Sequence, residues 1–168
     1  TVIANARLGL ELAGMGTDQA NARANEMLKL AGLEGFEQSY PRELSGGMRQ
    51  RVNLARALTI DPKVLLMDEP FAALDAITRE AMQTELLRIW REAGKTVMFV
   101  THQIDEAVYL ANRVVVMAPR PGRIEKIITI TETTDRSEDV KRSTEFHHAV
   151  DEIRDIIESH DREDIMAN

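Results

Sequence analysis

"LSGGMRQRVNLARAL", residues 44–58, is followed shortly by "VLLMDEP", residues 64–70, and these two stretches together decide the fold. Ser45 is a favoured N-cap, and Met48, Val52, Ala55 and Leu58 recur at helical spacing, so a helix opens on two glycines. Asp61-Pro62 ends it. Val64 to Met67 is a short continuous apolar run, as expected of a strand covered on both faces. Two acids, Asp68 and Glu69, then stand at the carboxyl end of that strand.

Working outward, Ile77 to Glu92 predicts a long amphipathic helix with Met82, Leu86, Ile89 and Trp90 on its buried side, ended by Gly94. "TVMFVT", residues 96–101, reads as a second buried strand, followed by a helix near Asp105 to Leu110. Val114 to Met117 is a third strand. "PRPG" at 119–122 is a turn, and 123–131 returns as an antiparallel edge. Toward the other end, Leu8, Leu12 and Met15 suggest a helix. A second runs from Asp18 to Leu30, with Ala20, Ala24, Met27 and Leu28 on one side and Gly32 as its stop. Residues 33–43 read as a loop. In the tail, Phe146, Val150, Ile153 and Ile157 fall at helical spacing and predict a helix that docks. Buried strands alternating with helices indicate an α/β fold with parallel strands.

The chain has 168 residues and no cysteine, which excludes a disulfide framework and a thiolate metal site. No apolar stretch is long enough to cross a bilayer and no export signal is visible, so a cytoplasmic location is expected. From residue 132 to 168 there are 12 acids and 5 bases, a net −7 that equals the net −7 of the whole chain. Residues 1–131 therefore balance. A neutral body with an acidic tail argues against nucleic acid as the main partner.

Three short stretches carry chemistry. A helix N-terminus offers unpaired N–H groups and the positive end of the helix dipole, and Gly46 and Gly47 would let a phosphate approach the backbone, with Ser45 adding a hydroxyl. In open α/β sheets ligands bind beyond the carboxyl ends of strands, where Asp68 and Glu69 lie. An acid there can hold Mg²⁺ through its water shell, and a neighbouring one can polarise a water for attack on phosphorus. His102 follows the second strand and falls at the same kind of edge.

"LSGG" opening a helix, then "VLLMDEP", "AALD" at 72–75 and "VTH" at 100–102, resembles the ATP-binding subunit of ABC transporters in order and spacing. The resemblance implies the carboxyl-terminal portion of a P-loop ATPase with a RecA-like core. Residues 1–44 would be a helical subdomain, 45–131 the core portion, and 132–168 an acidic helical extension. It implies ATP and Mg²⁺ as ligands. Ser45, Gly46 and Gly47 match the signature loop that contacts the γ-phosphate of ATP on a facing copy, with Gln50 counted among the nucleotide contacts. Asp68 matches the Mg²⁺ ligand, Glu69 the catalytic base, His102 the switch histidine and Asp75 a loop crossing the dimer interface. The implied partners are a second copy, membrane permease subunits reached through the helical subdomain and, indirectly, an external solute-binding protein. The implied place is the cytoplasmic face of the cell membrane.

Departures are few. Met48 stands where glutamine is usual, with Gln50 further along, and Gln103 stands where aspartate is commoner. No G-x-x-x-x-G-K-S/T occurs; Gly9 and Gly14 have the spacing, but Met15 follows. Together with Thr1 in place of methionine, this leads to the expectation of a piece of a longer ATPase, inactive alone. "PRPGRI" at 119–124 resembles importers of the nitrate, sulfonate and taurine group. A non-transport relative in DNA repair or translation is the alternative, although neither long heptad arms nor a second cassette is present. A non-catalytic binding piece is the other.

Overall fold

In the computed structural model, residues 1–119, 121–130 and 138–166 are described. They form two compact units, Thr1–Val100 and Thr101–Asn168.

In the first unit, α1 (Val2–Leu12) and α2 (Thr17–Leu30) precede α3 (Gly46–Thr59), which packs against both. Pro41–Glu43 forms a single 3₁₀ turn inside the segment expected as loop. Strand β1 (Val64–Asp68) leads into α4 (Ala76–Ala93), and the chain returns in β2 (Thr96–Val100), parallel to β1. The register pairs Val64 with Thr96 and Asp68 with Val100. This is the expected strand–helix–strand unit. Gly94 ends α4 at φ 60°, and Gly32 lies just past α2 at φ 66°. Both occupy the left-handed region that only glycine enters without a Cβ penalty.

Two expectations are corrected here. The face of α1 that is buried is Val2, Ile3, Ala6 and Leu10, whereas Leu12 is 81% exposed and Leu8 is also exposed. Helices α2 and α3 pack on α1, and that packing rather than the leucine spacing sets which stripe is inward. Among the described residues, the parallel strands are covered on one face rather than two. Leu65 is buried, and it lines one narrow apolar space with Val97, Leu54, Leu58, Leu86 and Ile89. Leu66 and Met98, on the opposite face, are 71% and 60% exposed. Successive side chains of a strand alternate between faces, and α3 and α4 supply cover on one of them.

Helix α4 buries Met82, Leu86, Leu87 and Ile89, as its periodicity requires. Trp90 is only half-buried, and its indole Nε1 donates to the Lys95 carbonyl at 2.6 Å. Arg88 ties α4 to the end of α2 by donating to the Leu30 carbonyl while pairing with Glu85 and Glu92.

The second unit holds α5 (Ile104–Leu110), the antiparallel strands β3 (Arg113–Ala118) and β4 (Arg123–Thr129), and α6 (Thr144–Met166). The antiparallel return agrees with the turn chemistry. The register shifts between Val116 and Met117. Arg120 of that turn, Thr131 at the end of the expected strand, and the start of the acidic tail at 132–137 lie outside the described residues. Helix α6 packs on α5 and β3, with Phe146, Val150 and Ile153 buried and Ile157 40% exposed. The tail docks, though by three of the four expected residues. Among the described residues no helix is long and apolar enough to cross a membrane.

Candidate functional site

Ser45 caps α3 as its sequence requires. Its backbone is extended, and its hydroxyl accepts from the Met48 N–H at 3.2 Å. Gly46 and Gly47 form the first turn. A Cβ on Gly47 would lie 3.2 Å from Thr78 Cγ2 and 3.6 Å from Met82 Sδ. Any larger residue at 47 would press on α4 and require Thr78 to shift by a few tenths of an ångström, so glycine suits this close approach. A Cβ on Gly46 would meet Leu74 at 3.4 Å, which is ordinary contact.

Asp68 is the last residue of β1 and is exposed. Glu69 follows with φ 43°, one of only two non-glycine residues with positive φ among those described. Its amide donates to the Val100 carbonyl at 2.8 Å, which extends the ladder to β2 by one bond. The Glu69 carbonyl accepts from the Ala72 N–H at 3.2 Å, so residues 69–72 turn sharply away from the strand. An L-residue in this conformation costs about 1–2 kcal/mol. Pro70 comes next, and Phe71 is buried with its ring 5.8 Å from that of Phe99 on β2.

The loop from 70 to 75 is held by side chains from two helices. Gln50 of α3 donates its amide to the Pro70 carbonyl, while its Oε1 accepts from Asn53 at 3.1 Å. Arg79 of α4 donates to the Leu74 carbonyl at 2.8 Å and to the Phe71 carbonyl at 3.4 Å. Asp75 is the N-cap of α4. It accepts from the Thr78 amide at 3.0 Å and the Thr78 hydroxyl at 2.7 Å, and those two bonds, the amide's first, hold its carboxyl below the usual aspartate range.

The structure thus brings the glycine-opened helix and the carboxylate end of β1 into one unit, joined through Gln50 and Pro70. His102 stands two residues after β2 and is exposed; it belongs to the second unit. Sequence reasoning missed Arg79 entirely and missed the cap at Asp75. The cap was visible in "LDAIT", where an aspartate stands directly before the helical pattern. Nothing in the local sequence marks Arg79, because its carbonyl partners lie in a turn of no regular period.

These features place a glycine-opened helix and a strand ending in two acids within one α/β unit. The family model described as ABC transporter matches residues 1–72. The chain is 57% identical over 130 residues to an uncharacterized ABC transporter ATP-binding protein of Methanocaldococcus jannaschii, covering 77% of this chain and 49% of that one. It is 58% identical over 123 residues to a taurine import ATP-binding protein of Burkholderia thailandensis, covering 73% and 47%. Its counterpart from Rhizobium johnstonii is 47% identical over 173 residues, covering 99% and 65%. Among solved structures, a cassette from Clostridium perfringens described as part of an ABC transporter complex matches with TM-score 0.70 at 30% identity, over 79% of this chain and 52% of that one. A dimeric bacterial ABC transporter cassette matches with TM-score 0.62 at 36% identity, over 79% and 58%.

The chain belongs to the ABC transporter family and carries part of its ATP-binding domain. It spans about half to two thirds of the length of the curated relatives it matches.

Proposed function

We propose that this chain is part of the ATP-hydrolysing subunit of an ABC importer for taurine-like sulfonates, within the nitrate, sulfonate and taurine group. The observation that carries this reading is the Asp68–Glu69 pair at the end of β1, turned off the strand and tied to the glycine-opened helix. Identities of 47% and 58% to taurine import ATP-binding proteins support the substrate group.

In this reading Glu69 orients the attacking water and accepts its proton, and the exposed Asp68 faces the metal-bearing side of the nucleotide. Magnesium, which keeps most of its waters, suits a single carboxylate such as Asp68 that holds it through its water shell. When bound, the ion would neutralise charge on the phosphate oxygens. Ser45, Gly46 and Gly47 present N–H groups and a hydroxyl to the terminal phosphate on a facing copy, and His102 contributes a further hydrogen bond. Catalysis of this kind rests on positioning and charge stabilisation.

The working unit is a pair of these subunits on the cytoplasmic face of the membrane. They bind permease subunits through residues 1–44 and are served indirectly by an external solute-binding protein. A cassette solved as a dimer and one described as part of a transporter complex support that assembly. Domain limits at 44 and 131 belong to the same reading. With no G-x-x-x-x-G-K-S/T in these residues, the 168-residue chain alone hydrolyses no ATP.

The test is Glu69→Gln in the full-length protein. ATP binding is retained while steady-state phosphate release falls by about a hundredfold or more, the scale on which positioned acid–base groups act. Undiminished hydrolysis removes Glu69 from this role.

A further inference from the structure

We propose that Gln50 is a positioning residue for hydrolysis, acting through the Pro70 carbonyl on Glu69 rather than through any contact with nucleotide. The proposal rests on the reading of Glu69 as the hydrolytic base.

Glu69 sits in the left-handed region immediately before a proline. Such a conformation persists only when its surroundings over-determine it, since the residue before proline is restricted and the left-handed region penalises a Cβ. Three ties contribute to this. The Glu69 amide is bonded to the Val100 carbonyl, and the Glu69 carbonyl to the Ala72 amide. The third tie is the Gln50 amide on the Pro70 carbonyl. It reaches the turn from α3, twenty residues earlier in the chain.

Gln50 is itself oriented. Asn53, one turn further along α3, donates to its Oε1 at 3.1 Å and so presents the amide nitrogen to Pro70. Both ends of the side chain are engaged within this chain. Arg79 holds the far side of the same loop at Phe71 and Leu74. A displacement of the α3 N-terminus, where Ser45 and the glycines lie, therefore has a direct mechanical route to the peptide that follows Glu69. Gln50 would make hydrolysis responsive to occupancy of the glycine-opened turn.

The experiment uses the full-length protein with Gln50→Met, which keeps length and loses the donor, and Gln50→Glu, which keeps shape and loses the donor when ionised. The expected result is a loss in kcat of roughly ten- to a hundredfold, with KM for ATP within about twofold of the unchanged protein. A raised KM with kcat retained makes Gln50 a nucleotide contact and overturns the proposal. Unchanged kcat and KM in both variants overturn it as well. Should Gln50→Met fail to fold, the isosteric Gln50→Glu carries the same readout. Glu69→Gln, measured alongside, separates the two ideas. If it is inactive while the Gln50 variants are fully active, only the positioning role fails; if it is active, the functional reading fails.

Discussion

Replacing Glu69 by glycine should make the full-length protein more stable while abolishing its activity. The residue stands at φ 43°, where a side chain with a Cβ costs about 1–2 kcal/mol. Glycine removes that cost but enlarges the unfolded ensemble, an opposing effect of about 0.4–1 kcal/mol. The net expectation is a gain of about 0.5–1 kcal/mol. Comparing Glu69→Gly with wild type would mix this with the loss of the carboxylate's own interactions. The clean comparison is with Glu69→Gln, which also lacks the charge but keeps the Cβ. In a protein of this size a difference of 1 kcal/mol corresponds to roughly 2–4 °C in melting midpoint. Both variants are measured by calorimetry and urea unfolding at neutral pH, without nucleotide. A midpoint for Glu69→Gln equal to or above that of Glu69→Gly would refute the claim that this backbone is strained.

Three further outcomes are expected. Gly47→Val drives branched carbon into Thr78 and Met82, 3.2 and 3.6 Å from where its Cβ would stand, and should cost about 1–3 kcal/mol in urea unfolding. Ile89→Ala empties the centre of the α4 face, 1% exposed, and should cost about 2–5 kcal/mol by the same measurement. Glu85 and Asp61 have folded-state values below the ordinary carboxylate range, held down chiefly by hydrogen bonds from Arg88 and Lys95 respectively. Their stabilisation is present above the unfolded carboxylate values near pH 4 and is lost as pH falls through the lower folded values. The melting midpoint should therefore fall as the pH drops below about 4, with a shallower fall in a Glu85→Gln/Asp61→Asn variant.

What the sequence made legible was the part governed by local chemistry. Ser45 as a cap, Gly32 and Gly94 as stops, and the parallel pair carrying Asp68 at its end all follow from residue type and spacing, and the structure has them. The short-range signals failed where packing chooses among faces. In α1 the leucine spacing competed with Val2, Ile3, Ala6 and Leu10, and only the neighbouring helices decide which stripe is inward. In β1 the continuous apolar run could not distinguish one covered face from two, because Leu65 and Leu66 are alike in sequence and opposite in exposure. Within the candidate site, the acids and glycines were visible from their positions at element ends. The ties that place them were not. Gln50 to Pro70 and Arg79 to Leu74 are side-chain-to-carbonyl bonds, and a carbonyl leaves no trace in residue identity.

The most direct measurement is a structure of the full-length Glu69→Gln protein trapped with ATP and magnesium. The expected result is a dimer in which the Ser45 hydroxyl of one copy lies within hydrogen-bond distance of the terminal phosphate held by the other. Residue 69 of the nucleotide-holding copy faces the attack side of that phosphorus. A nucleotide bound with Ser45 remote from every phosphate, or with residue 69 turned away from the terminal one, would contradict the account.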